Sequence, residues 1–463
     1  MTDLADLSAA ELLAAYKARS LSPVEVTEAV IARIAAWEPK LDALYAYDPD
    51  GALAQAKASE ARWLKGEALP LDGVPGTIKE NIRTKGVPVP MGTAANELSP
   101  AANDAPPAAR LREAGTVILG KTTMPDYGML SSGLSSFHRL ARNPWDLSKN
   151  PGGSSAGAGS AAAAGYGPLH VGTDIGGSIR LPAGWCGLVG LKPSFGRVPI
   201  DPSYYGRVAG PMTRTVMDTA LMMRELSKPD ARDGMSLPPQ EIDWLSLDGD
   251  VKGLRLGLQL DAGFGLAVEP ETKAAIEAAA KAFADAGAIV EPVAPHITRA
   301  MLDGLDAFWR HRSWSDIAAL PAERQAKVLP YIFAWARGGE GLSGGQVYRG
   351  MSQMLAMRDA SLKAIQPYDF ILSPVSPVAS FAAEWASPTN DPAKPLEHIS
   401  FTVAANMSDQ PSISVHAGLT TGGLPIGLQI TGKRFDDLGV LRMARAWEAM
   451  RGPVTWPSLP QSR

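Results

Sequence analysis

The sequence predicts an α/β protein with a large mixed central β-sheet covered by helices on both faces. Two observations carry this. Segments of helical period alternate with short apolar, β-branched segments along most of the chain. The 463 residues are 45% hydrophobic and 20% charged, an ordinary globular composition that can fill a large core.

The elements follow in order. Residues 8–19 and 23–36 read as helices, with Ser8 and Ser22 as N-caps and Pro23 at a first helical position. Leu12, Leu13 and Tyr16 share one face of the first; Val26, Val30, Ile31 and Ile34 share one face of the second. Ala52–Lys65 is a third helix, ended near Gly66. Leu71–Ile78 is β-rich but broken by Gly73, Pro75 and Gly76, as a strand entering a site would be. Ala105–Ala114 reads as a helix and Val117–Leu119 as a strand. Ser155–Ala164 is an Ala/Gly helix able to pack closely on its neighbours. Lys228–Asp250 is a Pro/Asp-rich loop. Gly253–Leu260 and Val290–Val293 are strands flanking a helix at Glu269–Ala286. Residues 300–365 are helix-rich, and strands return at Phe370–Ser373, Ser412–Val415 and Ile426–Ile430. Length alone allows one to three domains, and residues 300–365 read as a helical cover over the site.

The net charge is −4, with no long block of one sign, so neither a nucleic acid nor an anionic membrane is an expected partner. One cysteine, Cys186, excludes an intrachain disulfide and argues against a cysteine-based zinc site. Set between apolar residues, it reads as a packing residue. The first twenty residues carry early acids and no basic segment followed by an apolar run, and no run of 18 apolar residues occurs. A soluble, cytoplasmic protein is the expectation.

Residues 152–180, GGSSAGAGSAAAAGYGPLHVGTDIGGSIR, hold two serine-bearing glycine turns, at Ser154 and Ser178. Small residues there let backbone N–H groups approach a reacting oxygen. Three readings compete. A dinucleotide fingerprint at Gly157–Ala162 needs a buried strand immediately before it, where the chain has turn-forming NPWDLSKNPGG. An α/β-hydrolase elbow with Ser155 as nucleophile needs the same strand, then an acid and a histidine, for which Asp369 with His398 or His416 are candidates. The third pairs a serine with a buried, neutral lysine as base. Lys79, in LDGVPGTIKEN, ends a short apolar strand; its local pattern equally allows a surface lysine paired with Glu80.

At this point the chain resembles the amidase signature family of serine hydrolases. The resemblance rests on GVPGTIKEN at 73–81, NPGGSSAGAGSAAAAG at 150–165, GTDIGGSIRLPAGWCGLVGLKPSFGRV at 172–198 and the closing LPIGLQITGKRFDDLGVLRMARAWE. It implies the amidase signature fold as a single domain over residues 1–463, Ser178 as nucleophile, Ser154 as a bridging serine after a cis peptide bond, and Lys79 as base. It also implies an oxyanion hole from the backbone N–H groups of Ile175, Gly176, Gly177 and Ser178, where Gly176-Gly177 allows a tight turn. Ser155, Thr173, Asp174 and Arg180 are expected to hold the site. Tyr127, Met129, Leu130 and Ser131 are expected to line the substrate pocket, joined by aromatic residues of the cover (Trp309, Trp314, Tyr331, Phe333 and Trp335).

The implied activity is hydrolysis of carbon–nitrogen bonds in small uncharged or aromatic amides through an acyl-enzyme, without metal or cofactor. Alternatives are a carbamate or ester hydrolase on the same residues, the glutaminase component of the tRNA-dependent amidotransferase, and a non-catalytic binding module. Against the glutaminase stand Lys327–Ile332, which lacks that component's arginines, and Ile399, near where its acidic residue falls. Against the binding module stands the presence of all three catalytic residue types. Asp409 occupies a position where the family has glycine, which suggests an altered loop or leaving-group pocket. The resemblance allows a homodimer.

Overall fold

The computed structural model describes residues 3–459. Its centre is one sheet of eleven strands: β1 (Leu44–Tyr45), β2 (Pro75–Lys79), β3 (Val117–Thr122), β4 (Leu169–Asp174), β5 (Val189–Lys192), β6 (Val208–Thr213), β7 (Arg255–Leu258), β8 (Ile289–Pro292), β9 (Phe370–Pro374), β10 (Ser412–Leu419) and β11 (Pro425–Gly432). Their spatial order is β1-β3-β2-β4-β6-β5-β10-β11-β9-β7-β8. The pairs β3–β2, β2–β4, β9–β7 and β7–β8 are parallel and the others antiparallel, so the sheet is mixed.

The expected helices near the N-terminus form at Ala9–Lys17 and Pro23–Leu41, each closed by a reciprocal Ser–Glu capping box. The second runs five residues past the expected end, carrying Trp37 and Leu41 into a buried cluster with Val30 and Ile34. The strand expected at 71–78 settles at 75–79, and that at 117–119 extends to Thr122. Strands β4, β5 and β6 were not expected. Every residue in them is buried, so they lack the alternation that marks a half-exposed strand. The expected loop at 228–250 contains no helix or strand. Helices at Arg299–Ala318, Ala322–Gln325, Pro330–Arg337 and Gly344–Ile365 account for the helix-rich region.

The helix Ala156–Ala164 is buried along its whole length and packs against the helix Arg180–Cys186. Gly157 makes this approach feasible: a Cβ there would stand 2.2 Å from the Ala43 carbonyl oxygen and 2.5 Å from the Thr123 nitrogen. This helix separates the two serine turns and fixes the distance between them.

Candidate active site

Lys79 is the last residue of β2 and is fully buried. Its Nζ donates to Ser154 Oγ at 2.8 Å and to Ser155 Oγ at 3.0 Å, with the Thr173 carbonyl oxygen at 3.5 Å. The peptide bond between Gly153 and Ser154 is cis. Burial, reinforced by the positive charge of Arg207, pushes the Lys79 ammonium well below its ordinary pKa; Asp174 and Glu80 pull the other way. A neutral amine can accept a proton.

The surface reading of Lys79 is thereby excluded. Adjacent strand residues point to opposite faces, and Glu80 turns away from the lysine. Its carboxylate accepts from Met91 N at 2.6 Å and Gly92 N at 2.8 Å, and lies 2.6 Å from His138 Nε2. Met91 O in turn accepts from Tyr127 N at 2.7 Å, so the strand bearing Lys79 also anchors one wall of the site.

Ser154 and Ser178 line one narrow slot, together with Asn81, Thr173, Asp174 and Ile175. Exposure rises from Lys79 (0%) through Ser154 (3%) to Ser178 (9%), which leaves Ser178 the most reachable of the three. Ser155 hydrogen-bonds Lys79 and the Thr173 carbonyl, and its own N–H donates to Ser178 O at 3.3 Å; it anchors the two turns to each other.

Asp174 and Arg180 form a fully buried, two-pronged ion pair, at 3.0 and 3.1 Å. Burial alone would raise the Asp174 carboxyl, but Arg180, the Ile179 N–H and Asn406 hold it far below the usual carboxylate range. Arg180 also donates to Thr402 O, Gln429 Oε1 and Asn406 Oδ1. Sequence reading found Asp174 and Arg180 but missed Thr402, Asn406 and Gln429, which lie more than two hundred residues away in the chain.

The expected oxyanion donors need one correction. Gly177, with φ 129°, sends its N–H to Asp174 Oδ1 at 2.8 Å, so this donor is already engaged in shaping the turn. The N–H groups of Ile175, Gly176 and Ser178 have no intramolecular acceptor among the described residues.

The slot opens into a cavity of about 410 Å³, and Tyr127, Met129, Tyr204 and Arg312 line both. Phe308, Trp309, Tyr205 and Met354 complete most of the cavity wall. Two expected pocket residues, Leu130 and Ser131, line neither space. Tyr127 (φ 52°) and Gly128 (φ 70°) reverse the chain, and Leu130 turns inward to a buried cluster with Trp185. Of the expected aromatic residues only Trp309 reaches the cavity. Trp335 donates to Asp306, Tyr331 to Asp391 O, and Trp314 packs edge-on against Phe333. Arg207 and Arg312 at the slot, and Tyr204 beside them, were not expected; Arg207 immediately precedes the fully buried β6, which carries no alternating pattern to mark it.

Asp409 adopts φ 60°, the left-handed backbone for which glycine is suited. The glycine-like loop shape is therefore kept. The carboxylate is buried against Arg434 at 3.1 Å and Arg358 at 3.4 Å and lines neither slot nor cavity. His398 stacks on Trp185 and His416 on Trp145, both away from the slot. No strand leads directly into Ser155. These facts remove the α/β-hydrolase and dinucleotide readings. Cys186 is buried against Pro151 O, its thiol pushed up by burial. No cluster of three metal-ligating side chains occurs among the described residues, and no helix there is long and apolar enough to cross a membrane.

The amidase family model matches residues 25–441. Among curated relatives, a glutamyl-tRNA(Gln) amidotransferase subunit of Myxococcus xanthus (strain DK1622) is 36% identical over 96% of this chain and 97% of its own length. The subunit of the same name from Geobacter metallireducens is 35% identical over 96% of this chain and 97% of its own. Among solved structures, a bacterial aryl acylamidase of the amidase signature family superposes with a TM-score of 0.88 at 31% identity, covering 96% of both chains. The peptide amidase of Stenotrophomonas maltophilia gives 0.83 at 29% identity, covering 98% of this chain and 99% of its own. With the sheet order and the serine turns, these matches establish that the chain belongs to the amidase signature family and is an amidohydrolase of carbon–nitrogen bonds.

Proposed function

We propose that this enzyme hydrolyses amides through Ser178, Ser154 and Lys79. The observation that carries the proposal is the buried Lys79 Nζ, 2.8 Å from Ser154 Oγ, in a slot that Ser178 shares. Neutral Lys79 takes a proton through Ser154 as Ser178 Oγ attacks the carbonyl carbon. The oxyanion is met by the N–H groups of Ile175, Gly176 and Ser178. Each such donor is worth on the order of 3 kcal/mol to the barrier. Ser154 then delivers the proton to the leaving nitrogen, the C–N bond breaks, and an acyl-enzyme remains. Water enters by the same relay and releases the acid.

Two substrate readings are separable. The cavity wall, with Tyr127, Phe308, Trp309 and Met354, supports a small amide with an apolar or aromatic part; the likeness to an aryl acylamidase points the same way. Carbamates and esters could use the same residues. The curated relatives favour the other reading, in which the chain is one component of an amidotransferase, releases ammonia from glutamine and needs partner subunits. The arginines missing from Lys327–Ile332 count against it, whereas Arg207 and Arg312 restore cationic groups at the slot. An activity screen of the purified chain on primary amides, anilides, carbamates, esters and glutamine decides. Turnover of anilides or alkyl amides by the chain alone supports the first reading. Glutaminase activity that rises with co-purifying subunits supports the second. A fluorophosphonate adduct anywhere but Ser178 would sink the nucleophile assignment.

A further inference from the structure

Three arginines are buried among the described residues: Arg180, Arg197 and Arg207. Arg180 is paired with Asp174 and Arg197 with Asp437, both carboxylates also buried. Arg207 has no carboxylate within ion-pair distance among the described residues. Its Nη1 donates to the Pro202 carbonyl, and its guanidinium lies over the Tyr204 ring at 5.2 Å. Arg312, half-buried on the helix Arg299–Ala318, lies over the same ring at 5.1 Å, and it too has no ion pair among the described residues; one Nη faces Met129 Sδ at 3.8 Å. Asp316, one turn along that helix, lines the wider cavity but stays beyond ion-pair distance of Arg312. Two guanidiniums thus flank one aromatic ring with no anion between them, and both line the slot that holds Ser154 and Ser178.

A buried cation without a counter-charge is costly to keep. Burial disfavours the charged form of Arg207 and Arg312 adds to that cost, while Asp201, itself paired with Arg83, attracts Arg207 only from beyond ion-pair distance. Guanidinium groups present paired N–H donors that match a carboxylate. We infer that Arg207 and Arg312 form an anion subsite beside Ser178, and that the substrate is an amide bearing a carboxylate elsewhere in the molecule. This deepens the hydrolase reading, since it rests on the slot at Ser178 being where the amide reacts. A carboxylate on the substrate supplies the missing counter-charge and fixes which carbonyl faces the nucleophile, while the apolar cavity takes the rest.

The test uses matched pairs. The half-amides of malonic, succinic, glutaric and adipic acids carry a carboxylate where the corresponding diamides carry a neutral carboxamide. Initial rates are measured on the wild type and on Arg312→Gln and Arg312→Lys; Arg312 is half-exposed, so its variants avoid the folding risk of Arg207→Gln. The wild type should prefer the half-amide of one chain length by roughly tenfold to a hundredfold in kcat/KM, the range expected for a charge-assisted contact. Arg312→Gln should collapse that ratio, and Arg312→Lys should restore part of it. Calorimetry on Ser178→Ala with the same compounds reads binding without turnover, and half-amides should bind more tightly than diamides. Diamides hydrolysed or bound as well as half-amides at every length overturn the subsite and leave the hydrolase reading standing. A ratio unmoved by Arg312→Gln also overturns it. Selective half-amide binding by Ser178→Ala, with no turnover of any amide by the wild type, supports the subsite and overturns the hydrolase reading.

Discussion

Lys79 Nζ, fully buried, stands 2.8 Å from Ser154 Oγ, and Ser154 shares the lining of one slot with Ser178. Lys79 is sealed from solvent while Ser178 is the more reachable group, and the proposed relay runs between them through the Ser154 hydroxyl. Replacing either end should stop the reaction. Ser178→Ala and Lys79→Ala should each lower kcat/KM by about a thousandfold or more, since loss of a nucleophile or of its proton acceptor removes one of the largest single contributions. Steady-state kinetics on an amide that the wild type turns over checks this, and near-normal activity of Lys79→Ala at neutral pH would refute the relay.

The pH dependence follows from the same pair. In the proposed relay Lys79 acts only when neutral, and burial depresses its pKa well below the ordinary lysine value. The rate should therefore fall on the acid side as Lys79 takes up a proton. Arg207 contributes to that depression. Arg207→Gln removes a positive charge, so the Lys79 pKa should rise and the acid limb should move to higher pH. A profile of kcat/KM against pH for the two proteins shows the shift or its absence.

The depressed lysine also has a signature in stability. Between its folded-state pKa and 10.5, the unfolded chain binds a proton at Lys79 that the folded chain does not, so this residue's contribution to stability rises with pH through that window. Lys79→Met abolishes the dependence. Chemical denaturation of the two proteins should show a stability difference that shifts in favour of the wild type as pH climbs towards 10.5. A difference independent of pH would show that Lys79 is charged in the folded protein.

The Asp174–Arg180 pair shapes the turn that bears Ser178, since the Asp174 carboxylate takes the N–H groups of Gly177 and Ile179 as well as the guanidinium. Arg180→Met leaves a buried carboxylate unpaired. We expect a loss of about 3–5 kcal/mol in unfolding free energy, together with a fall in kcat, measurable by urea denaturation and initial rates.

Gly157→Ala tests the spacer helix. The added methyl would collide with the Ala43 carbonyl and the Thr123 backbone. Overpacking of this kind costs about 1–3 kcal/mol, and displacing the helix moves Ser154 relative to Ser178. Lower stability with a lower kcat is the expected result, and unchanged kinetics would show that the two turns tolerate a change in spacing.

Much of this was legible in the chain. The alternation of periods predicted the layered sheet; the local pattern left Lys79 open between a buried base and a surface lysine, and only the family resemblance implied Lys79, Ser154 and Ser178 together, of which the structure brings Lys79 Nζ to 2.8 Å from Ser154 Oγ. Strands β4, β5 and β6 were not legible because, buried on both faces, they carry no alternating pattern. The pocket was read one turn too far along: Leu130 and Ser131 follow a chain reversal at Tyr127 and Gly128 that depends on tertiary contacts such as Met91 O. Arg207 and Arg312 belong to a strand and a helix far apart in sequence, and only the fold brings them to one ring.

β2 and β4 are neighbouring parallel strands, with Thr77 opposite His170 and Ile78 opposite Val171. β2 ends in Lys79, and β4 leads directly into the turn that bears Ser178. A slip of one residue between these strands would reverse the face each side chain occupies, carrying the lysine out of reach of the serines. If the proposed relay holds, catalytic competence is all-or-none with respect to sheet register. Turnover reports native pairing at the centre of the molecule, and a misregistered chain that keeps its helices and its far-ultraviolet signal should be silent in assay.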